Sequence, residues 1–189
     1  MKFQTFQIGG IHPEGCKISS NSPIEIMPIP EMVYIPCAQH IGKPAEVIVQ
    51  KGDKVKVGQL MAKASGFVSA NIHSSVSGTV TAIGPIPDLS GVAKNGITIK
   101  VEGDEWLETI DRSDTLLTNV DDIKPEDIIK LVSDAGIVGM GGASFPAHVK
   151  FNPPADKEIE YVLLNAAECE PYLTCDERTL QEQTEKVID

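Results

Sequence analysis

The spacing of apolar and polar residues changes character twice along the chain. Between about Glu31 and Val101 the apolar residues fall in short runs of period two, each closed by a turn. Val33-Tyr34-Ile35, Ala45-Glu46-Val47-Ile48-Val49, Val55-Lys56-Val57 and Leu60-Met61-Ala62-Lys63-Ala64 are the first four. Ser69-Ala70-Asn71-Ile72-His73, Thr79-Val80-Thr81-Ala82-Ile83 and Gly96-Ile97-Thr98-Ile99-Lys100-Val101 follow, with Gly52-Asp53, Gly58-Gln59 and Ser77-Gly78 as turns. Evenly spaced short strands of this kind predict a small all-β sandwich or barrel. From Pro125 the period lengthens: Ile128, Ile129, Leu131, Val132 and Ala135 share one face of a helix. Pro125 suits its first turn, Glu126 and Asp127 the positive end of its dipole, and Gly136 its C-terminal cap. A further apolar run over residues 158–164, E-I-E-Y-V-L-L, predicts a strand, and residues 176–189 form a charged, helix-like tail that stops without a cap, as a chain continuing past Asp189 would.

Two segments lack a regular period. Residues 1–29 are rich in Gly, Pro, Ser and polar side chains, and Gly9-Gly10-Ile11-His12-Pro13 reads as an extended arm with turns, suited to draping over another surface. Residues 104–124 carry Asp104, Glu105, Glu108, Asp111, Asp114, Asp121 and Asp122 and read as an acidic linker, with Trp106 and Leu107 able to pin it to a neighbour. The expected organisation is therefore an arm (1–29), a β domain (30–103), a linker (104–124) and the beginning of an α/β domain (125–189), giving an α+β chain overall.

Bulk properties narrow the function classes. With 189 residues the chain can bury a real core, and a net charge of −11 is the wrong sign for a nucleic-acid surface. No apolar run approaches bilayer-spanning length and the N-terminus lacks a signal-peptide core, which reads as a soluble cytoplasmic chain. Cys16, Cys37, Cys169 and Cys175 contain no C-x-x-C pair, so neither a metal centre nor a disulfide framework is indicated; packing is the expected role of Cys169 and Cys175, with a redox or cluster-edge role as the alternative. His12, His40, His73 and His148 are isolated and read as surface or hydrogen-bonding residues.

Two stretches carry candidate chemistry. Residues 136–150 read G-I-V-G-M-G-G-A-S-F-P-A-H-V-K. Such a loop can turn backbone N–H groups toward an anion, with Lys150 adding a mobile positive charge. It fits equally well a tight connection between helix and strand. It is neither a P-loop, since no Lys-Ser/Thr follows its glycines, nor a Rossmann fingerprint, since Ser144 stands where the last glycine belongs and a helix precedes it. The second stretch is Asn165-Ala166-Ala167-Glu168-Cys169-Glu170-Pro171, just past the expected strand, where open α/β sheets place ligands. Asn165 can donate and accept, and Glu168 and Glu170 can position a hydroxyl or amide, though ordinary loop charges would look the same.

Residues 47–83, with G-D-x-V-x-x-G-Q-L and then I-x-S-x-x-S-G-T-V, resemble the biotinyl/lipoyl type of barrel-sandwich hybrid. Carriers of that type present a modified Lys on a central hairpin. Here the tip reads Ser65-Gly66-Phe67-Val68-Ser69, and Lys63 lies earlier on the strand, so scaffolding or docking is the better use of the shell. The glycine loop followed by N-A-A-E-C-E-P-Y-L-T-C-D-E-R resembles the C subunit of the Rnf electron-transport complex and, more distantly, the NADH- and FMN-binding flavoprotein subunit of respiratory complex I. The resemblance spans nearly the whole chain. It implies an NAD(H)-linked oxidoreductase subunit in which hydride passes between NAD(H) and non-covalent FMN and electrons leave singly to 4Fe-4S clusters whose ligands lie beyond Asp189. By motif position Gly139, Gly141, Gly142 and Ala143 would line the flavin and its phosphate, and Lys150 would stabilise its negative charge. Asn165 and Glu168 would hold the ribityl chain and ring, Phe145 would pack on the dinucleotide, and Glu170 would lie where nicotinamide meets flavin as the catalytic contact. Met140 and Ala167 depart from the complex I pattern, which has Arg and Asp there, and Pro153 occupies the place of a second aromatic. The implied partners are the other subunits of a membrane complex, with peripheral attachment at the cytoplasmic face of the inner membrane and no span of its own. The rival reading is a non-catalytic docking module of such an assembly, with a purely structural glycine loop.

Overall fold

The computed structural model describes residues 11, 13–87, 91–113, 123–154 and 156–188. Gly9, Gly10 and His12 of the arm and Asp114, Asp121 and Asp122 of the acidic stretch lie outside them. The chain forms two compact units, Pro28–Ile159 and the pairing of the chain up to Met27 with Glu160 onward.

The larger unit is built on two antiparallel sheets. One has the strand order β1-β7-β6-β3, from β1 (Met32–Pro36), β3 (Lys54–Val55), β6 (Gly78–Ile86) and β7 (Lys94–Val101); the other, β2-β4-β5, joins β2 (Glu46–Val47), β4 (Leu60–Lys63) and β5 (Ile72–His73). The long β6–β7 ladder pairs Gly78 with Val101 and Ile86 with Lys94, and a register shift between Val80 and Ala82 bends it. Alternation sends Ile35, Val80, Ile97 and Ile99 inward from the first sheet against Met61, Ala62 and Ile72 of the second. Met61, Val80, Ile97 and Ile99 are completely buried, each removing roughly 1.5–3 kcal/mol worth of apolar surface from water. Cys37 joins this core, and burial pushes its thiol up. The strands therefore fall where the sequence period placed them, although β2, β3 and β5 are shorter.

The first part of the acidic stretch packs on this barrel. Trp106 bridges Val57, Val57 N–H donates to Glu105 O (2.9 Å), and Leu107 N–H donates to Val57 O (3.1 Å). Arg112 caps the Trp106 ring at 4.4 Å. Trp106 and Leu107 do pin the chain, and their neighbour is the barrel itself.

Helix α1 (Pro125–Asp134) forms where the longer period began. Its apolar face is only partly covered: Ile129 and Val132 are half-buried, while Ile128 and Leu131 stay exposed. Gly136, at φ +69°, ends it in a Schellman turn, with Gly136 N–H to Ser133 O (3.1 Å) and Ile137 N–H to Val132 O (3.2 Å). That end rests on the barrel. Asn71, beside β5, donates from Nδ2 to Asp134 O (3.1 Å) while its Oδ1 accepts Ala64 N–H (2.9 Å).

The predicted strand at 158–164 does not form. These residues join no ladder, and Tyr161, Val162, Leu163 and Leu164 are between 76% and 91% exposed. Strand sequence alone is insufficient, because a ladder needs a neighbour's N–H and C=O groups. No strand among the described residues supplies them.

In the smaller unit, the arm is stitched along helix α3 (Cys175–Glu182) and the turn before it; two shorter helices, α2 (Ala147–Lys150) in the larger unit and α4 (Thr184–Ile188) in this one, complete the described set. Tyr172 N–H donates to Gly15 O (2.8 Å), Ser19 and Thr174 share a hydroxyl bond (2.8 Å), and Arg178 Nη1 donates to Ser20 O (2.9 Å). Glu182 accepts Ile24 N–H (3.0 Å) and pairs with Arg178. These contacts hold residues 15–24 of the arm along α3 and the turn before it.

These contacts make two outcomes testable. A Cβ at Gly136 would lie 2.1 Å from Asn71 O, in a left-handed conformation that side chains disfavour. Gly136→Ala is expected to cost about 2–3 kcal/mol in denaturant unfolding, with Asn71→Ala costing about 1–2 kcal/mol and the double variant less than the sum. The Arg178 hydrogen bond first, and Ile24 N–H second, hold the Glu182 carboxyl below its ordinary value of 4.5. A depressed carboxylate contributes fully above that ordinary value and loses its contribution as pH falls through the lower folded one. Exchange of the Ile24 amide should therefore gain over its neighbours' as pH drops below 4.5, and Glu182→Gln should abolish that gain.

Candidate functional site

Within the larger unit, the glycine loop leaves the Schellman turn and closes on itself. Ala147 N–H donates to Ile137 O and Gly139 N–H to Phe145 O, both at 2.9 Å, and Val138 bridges Pro146. This neck holds residues 140–144 as a projecting tip. Met140 is 89% exposed, and Gly141, Gly142 and Ala143 are also at the surface. Gly142 at φ +133° and Ser144 at φ +49° supply the reversals that the tip needs. A Cβ placed on Gly141 meets nothing within 4 Å, so a ligand can reach the backbone there.

Lys150, the last residue of α2, folds back over the neck. Its Nζ would sit 3.2 Å from a Cβ on Gly139 and lies 5.9 Å from the centroid of the half-buried Phe145 ring. A positive charge thus stands against the glycine backbone, an arrangement with the chemistry of an anion cradle. The charge and the exposed glycine tip fit a phosphorylated flavin. His148, on the same short helix, has a buried Nδ1 with no partner among the described residues.

The loop meets the segment of residues 40–43, which in turn braces the hairpin that in carriers would display the modified lysine. Ile41 N–H donates to Ser144 O (3.4 Å) and Lys43 N–H to Val68 O (3.0 Å). The buried His40 accepts Ala70 N–H at Nε2 (3.1 Å), so in the neutral ring Nδ1 carries the proton and donates to Ile41 O (2.9 Å). Sequence reasoning missed Ile41 and Asn71 as supports, because each acts through contacts distant along the chain and carries no local signature.

In the smaller unit, Asn165, Glu168 and Glu170 lie in the irregular segment that leads into α3. Asn165 Oδ1 accepts Ala167 N–H (3.0 Å), an Asx-type turn. Glu168 caps α3: its carboxylate accepts Asp176 N–H (2.8 Å) and Glu177 N–H (3.3 Å), with Cys175 Sγ at 3.6 Å. The N-cap residue Thr174 makes no capping bond of its own, so Glu168 takes over that task. Side-chain atoms of Glu168, Cys175 and Asp176 lie within 4.8 Å of one another, which the capping geometry explains. Partial desolvation against its neighbours first, then the Glu168 charge, pushes the exposed Cys175 thiol up. Cys169 and Cys175 are exposed, contrary to the packing role expected for them, because the capped helix end lies at the surface. The structure thus places Gly139, Gly141, Gly142, Ala143 and Phe145 in one loop with Lys150 folded back over it, and Asn165, Glu168 and Glu170 in the short segment before α3.

Comparison with known proteins matches both halves. Residues 4–104 match the family model of the RnfC barrel sandwich hybrid domain, and residues 132–189 that of the Nuo51 FMN-binding domain. The C subunit of the proton-translocating ferredoxin:NAD(+) oxidoreductase complex of Clostridium ljungdahlii is 49% identical over 182 residues, covering 95% of this chain and 39% of that protein. The C subunit of the Na(+)-translocating ferredoxin:NAD(+) oxidoreductase complex of Acetobacterium woodii is 46% identical, covering 100% of this chain and 42% of that protein. Its counterpart in the ion-translocating oxidoreductase complex of Rhodobacter capsulatus is 46% identical, covering 98% and 36%. The chain therefore spans about two-fifths of the length of these relatives. No helix among the described residues is long and apolar enough to cross a membrane. With a barrel matched over residues 4–104 and relatives close to half identical along almost all of its length, the chain belongs to the RnfC family.

Proposed function

We propose that the chain supplies the barrel-sandwich domain and the first part of the FMN/NAD(H) domain of an Rnf-type C subunit, a peripheral protein that exchanges electrons between NAD(H) and a membrane complex. The observation that carries this reading is the exposed glycine tip with the Lys150 ammonium folded against Gly139. FMN, when bound, supplies the chemistry that joins two-electron hydride transfer to single-electron transfer. The chain's own residues then have defined tasks. Backbone at Gly141, Gly142 and Ala143 receives the phosphate, Gly139, whose N–H is engaged by Phe145 O, lets the flavin approach, and Lys150 offsets the negative charge that reduction adds. Phe145 gives the dinucleotide an apolar surface. Asn165 takes ribityl hydroxyls, and Glu168, with three of its roughly four lone-pair sites used at α3, keeps an acceptor for the same chain. Glu170, exposed, contacts the nicotinamide.

In this reading residues 125–189 open an α/β nucleotide-binding domain. The exposed run Tyr161, Val162, Leu163 and Leu164 supports it, being a strand sequence whose sheet partners belong elsewhere in a longer protein. The 4Fe-4S clusters belong to that longer protein too, and it attaches to the cytoplasmic face of the inner membrane through partner subunits.

FMN titration of the longer protein separates this reading from a docking role. Lys150→Ala is expected to weaken FMN about 10- to 100-fold, the worth of one charge-assisted contact. Gly141→Val should also weaken it at an unchanged melting temperature, because the space around Gly141 is open. Wild-type FMN affinity in both variants would leave the glycine loop structural.

A further inference from the structure

The turn that carries Glu170 is held from outside by the N-terminal arm. Within the turn Pro171 has no N–H to offer, and Tyr172 sits at φ +72°, a left-handed conformation that a bulky side chain rarely adopts. Such a conformation persists only where surrounding contacts over-determine it. Here three hydrogen bonds do so, all from Gly15 and Lys17. Gly15 O accepts Tyr172 N–H at 2.8 Å, and Lys17 Nζ donates to Leu173 O at 2.6 Å and to Glu170 O at 3.3 Å. One ammonium therefore spans the two ends of the Glu170–Leu173 turn.

The arm is shaped for this task. Cys16, at φ +46°, reverses the chain between Gly15 and Lys17, and Ile18 N–H closes the reversal on Cys16 O at 2.7 Å. Further along, the Ser19–Thr174 and Ser20–Arg178 bonds keep the arm in register with α3, so that Lys17 returns to the same carbonyls. The bonds engage only the backbone of Glu170. Among the described residues its carboxylate makes no hydrogen bond or ion pair, and it remains at the surface. A fixed main chain beneath an unengaged acceptor is how a protein prepares a ligand contact without using it up internally.

We propose that Lys17 is a positioning residue for Glu170, acting by clamping the turn from Glu170 to Leu173 so that the carboxylate is presented to the nicotinamide end of a dinucleotide. This rests on the reading of Glu170 given above. Lys17 itself touches no ligand; its effect passes through the turn.

The test compares Lys17→Met, Lys17→Arg and Glu170→Gln in the longer protein, through amide exchange at Tyr172, NADH affinity and FMN content. Lys17→Met is expected to speed Tyr172 exchange at least about tenfold and to weaken NADH by a similar factor, with FMN content unchanged. Lys17→Arg, still a multiple donor, should restore both, and adding Lys17→Met to Glu170→Gln should cost no further NADH affinity. Wild-type Tyr172 exchange in Lys17→Met would overturn the clamp. Accelerated exchange with wild-type NADH affinity, alongside a weakened Glu170→Gln, would overturn the positioning role while sparing the reading of Glu170. Wild-type NADH affinity in Glu170→Gln would remove that reading, and the positioning role with it.

Discussion

One side chain, Asn71, sets where the helix and glycine loop stand on the barrel. Its amide joins the backbone of the β4–β5 hairpin at Ala64 to the last turn of α1 at Asp134. Gly136 must then pass so close to Asn71 O that no Cβ fits. A helix end has carbonyls to satisfy, and the Schellman turn satisfies those of Val132 and Ser133 while Asn71 takes that of Asp134. The projecting tip, the neck at Gly139 and the return of Lys150 all follow from the direction in which the chain leaves this seat.

The barrel-sandwich shell acquires a different use in consequence. Its central hairpin, the place from which a carrier would extend a modified lysine, is occupied here by supporting contacts. His40 takes Ala70 N–H, Lys43 takes Val68 O, and Ile41 reaches across to Ser144. Ser65 and Ser69 bind the carbonyls of Pro44 and Lys43, closing the hairpin end against the preceding loop. A hairpin stitched in this way is a platform rather than a mobile arm, and the segment that stitches it, residues 40–43, also reaches the glycine loop through Ile41.

The smaller unit solves a related problem by other means. Its turns contain Tyr172 and Cys16 in left-handed conformations, and none of its described apolar side chains is buried. Order comes from hydrogen bonds between segments roughly 155 residues apart, through Lys17, Ser19, Arg178 and Glu182. Glu168 adds to this by capping α3, so a residue expected to serve a ligand also maintains the helix beside which that ligand would bind.

Much was legible in the sequence wherever a local rule applied. Period-two runs located β1, β4, β6 and β7, the change of period located α1, and Gly136 marked its end, since each depends on residues within a few positions of one another. The glycine loop and Lys150 were legible for the same reason, as they form one short stretch. The run at 158–164 shows the limit: its side chains favour a strand, yet a ladder requires a neighbour, and none among the described residues pairs with it. The packing of Trp106 on Val57, the Asn71 seat, the surface position of Cys169 and Cys175, and the Lys17 clamp were decided only by tertiary structure. Each depends on where a distant backbone carbonyl or amide arrives, and no local pattern of residue types encodes that.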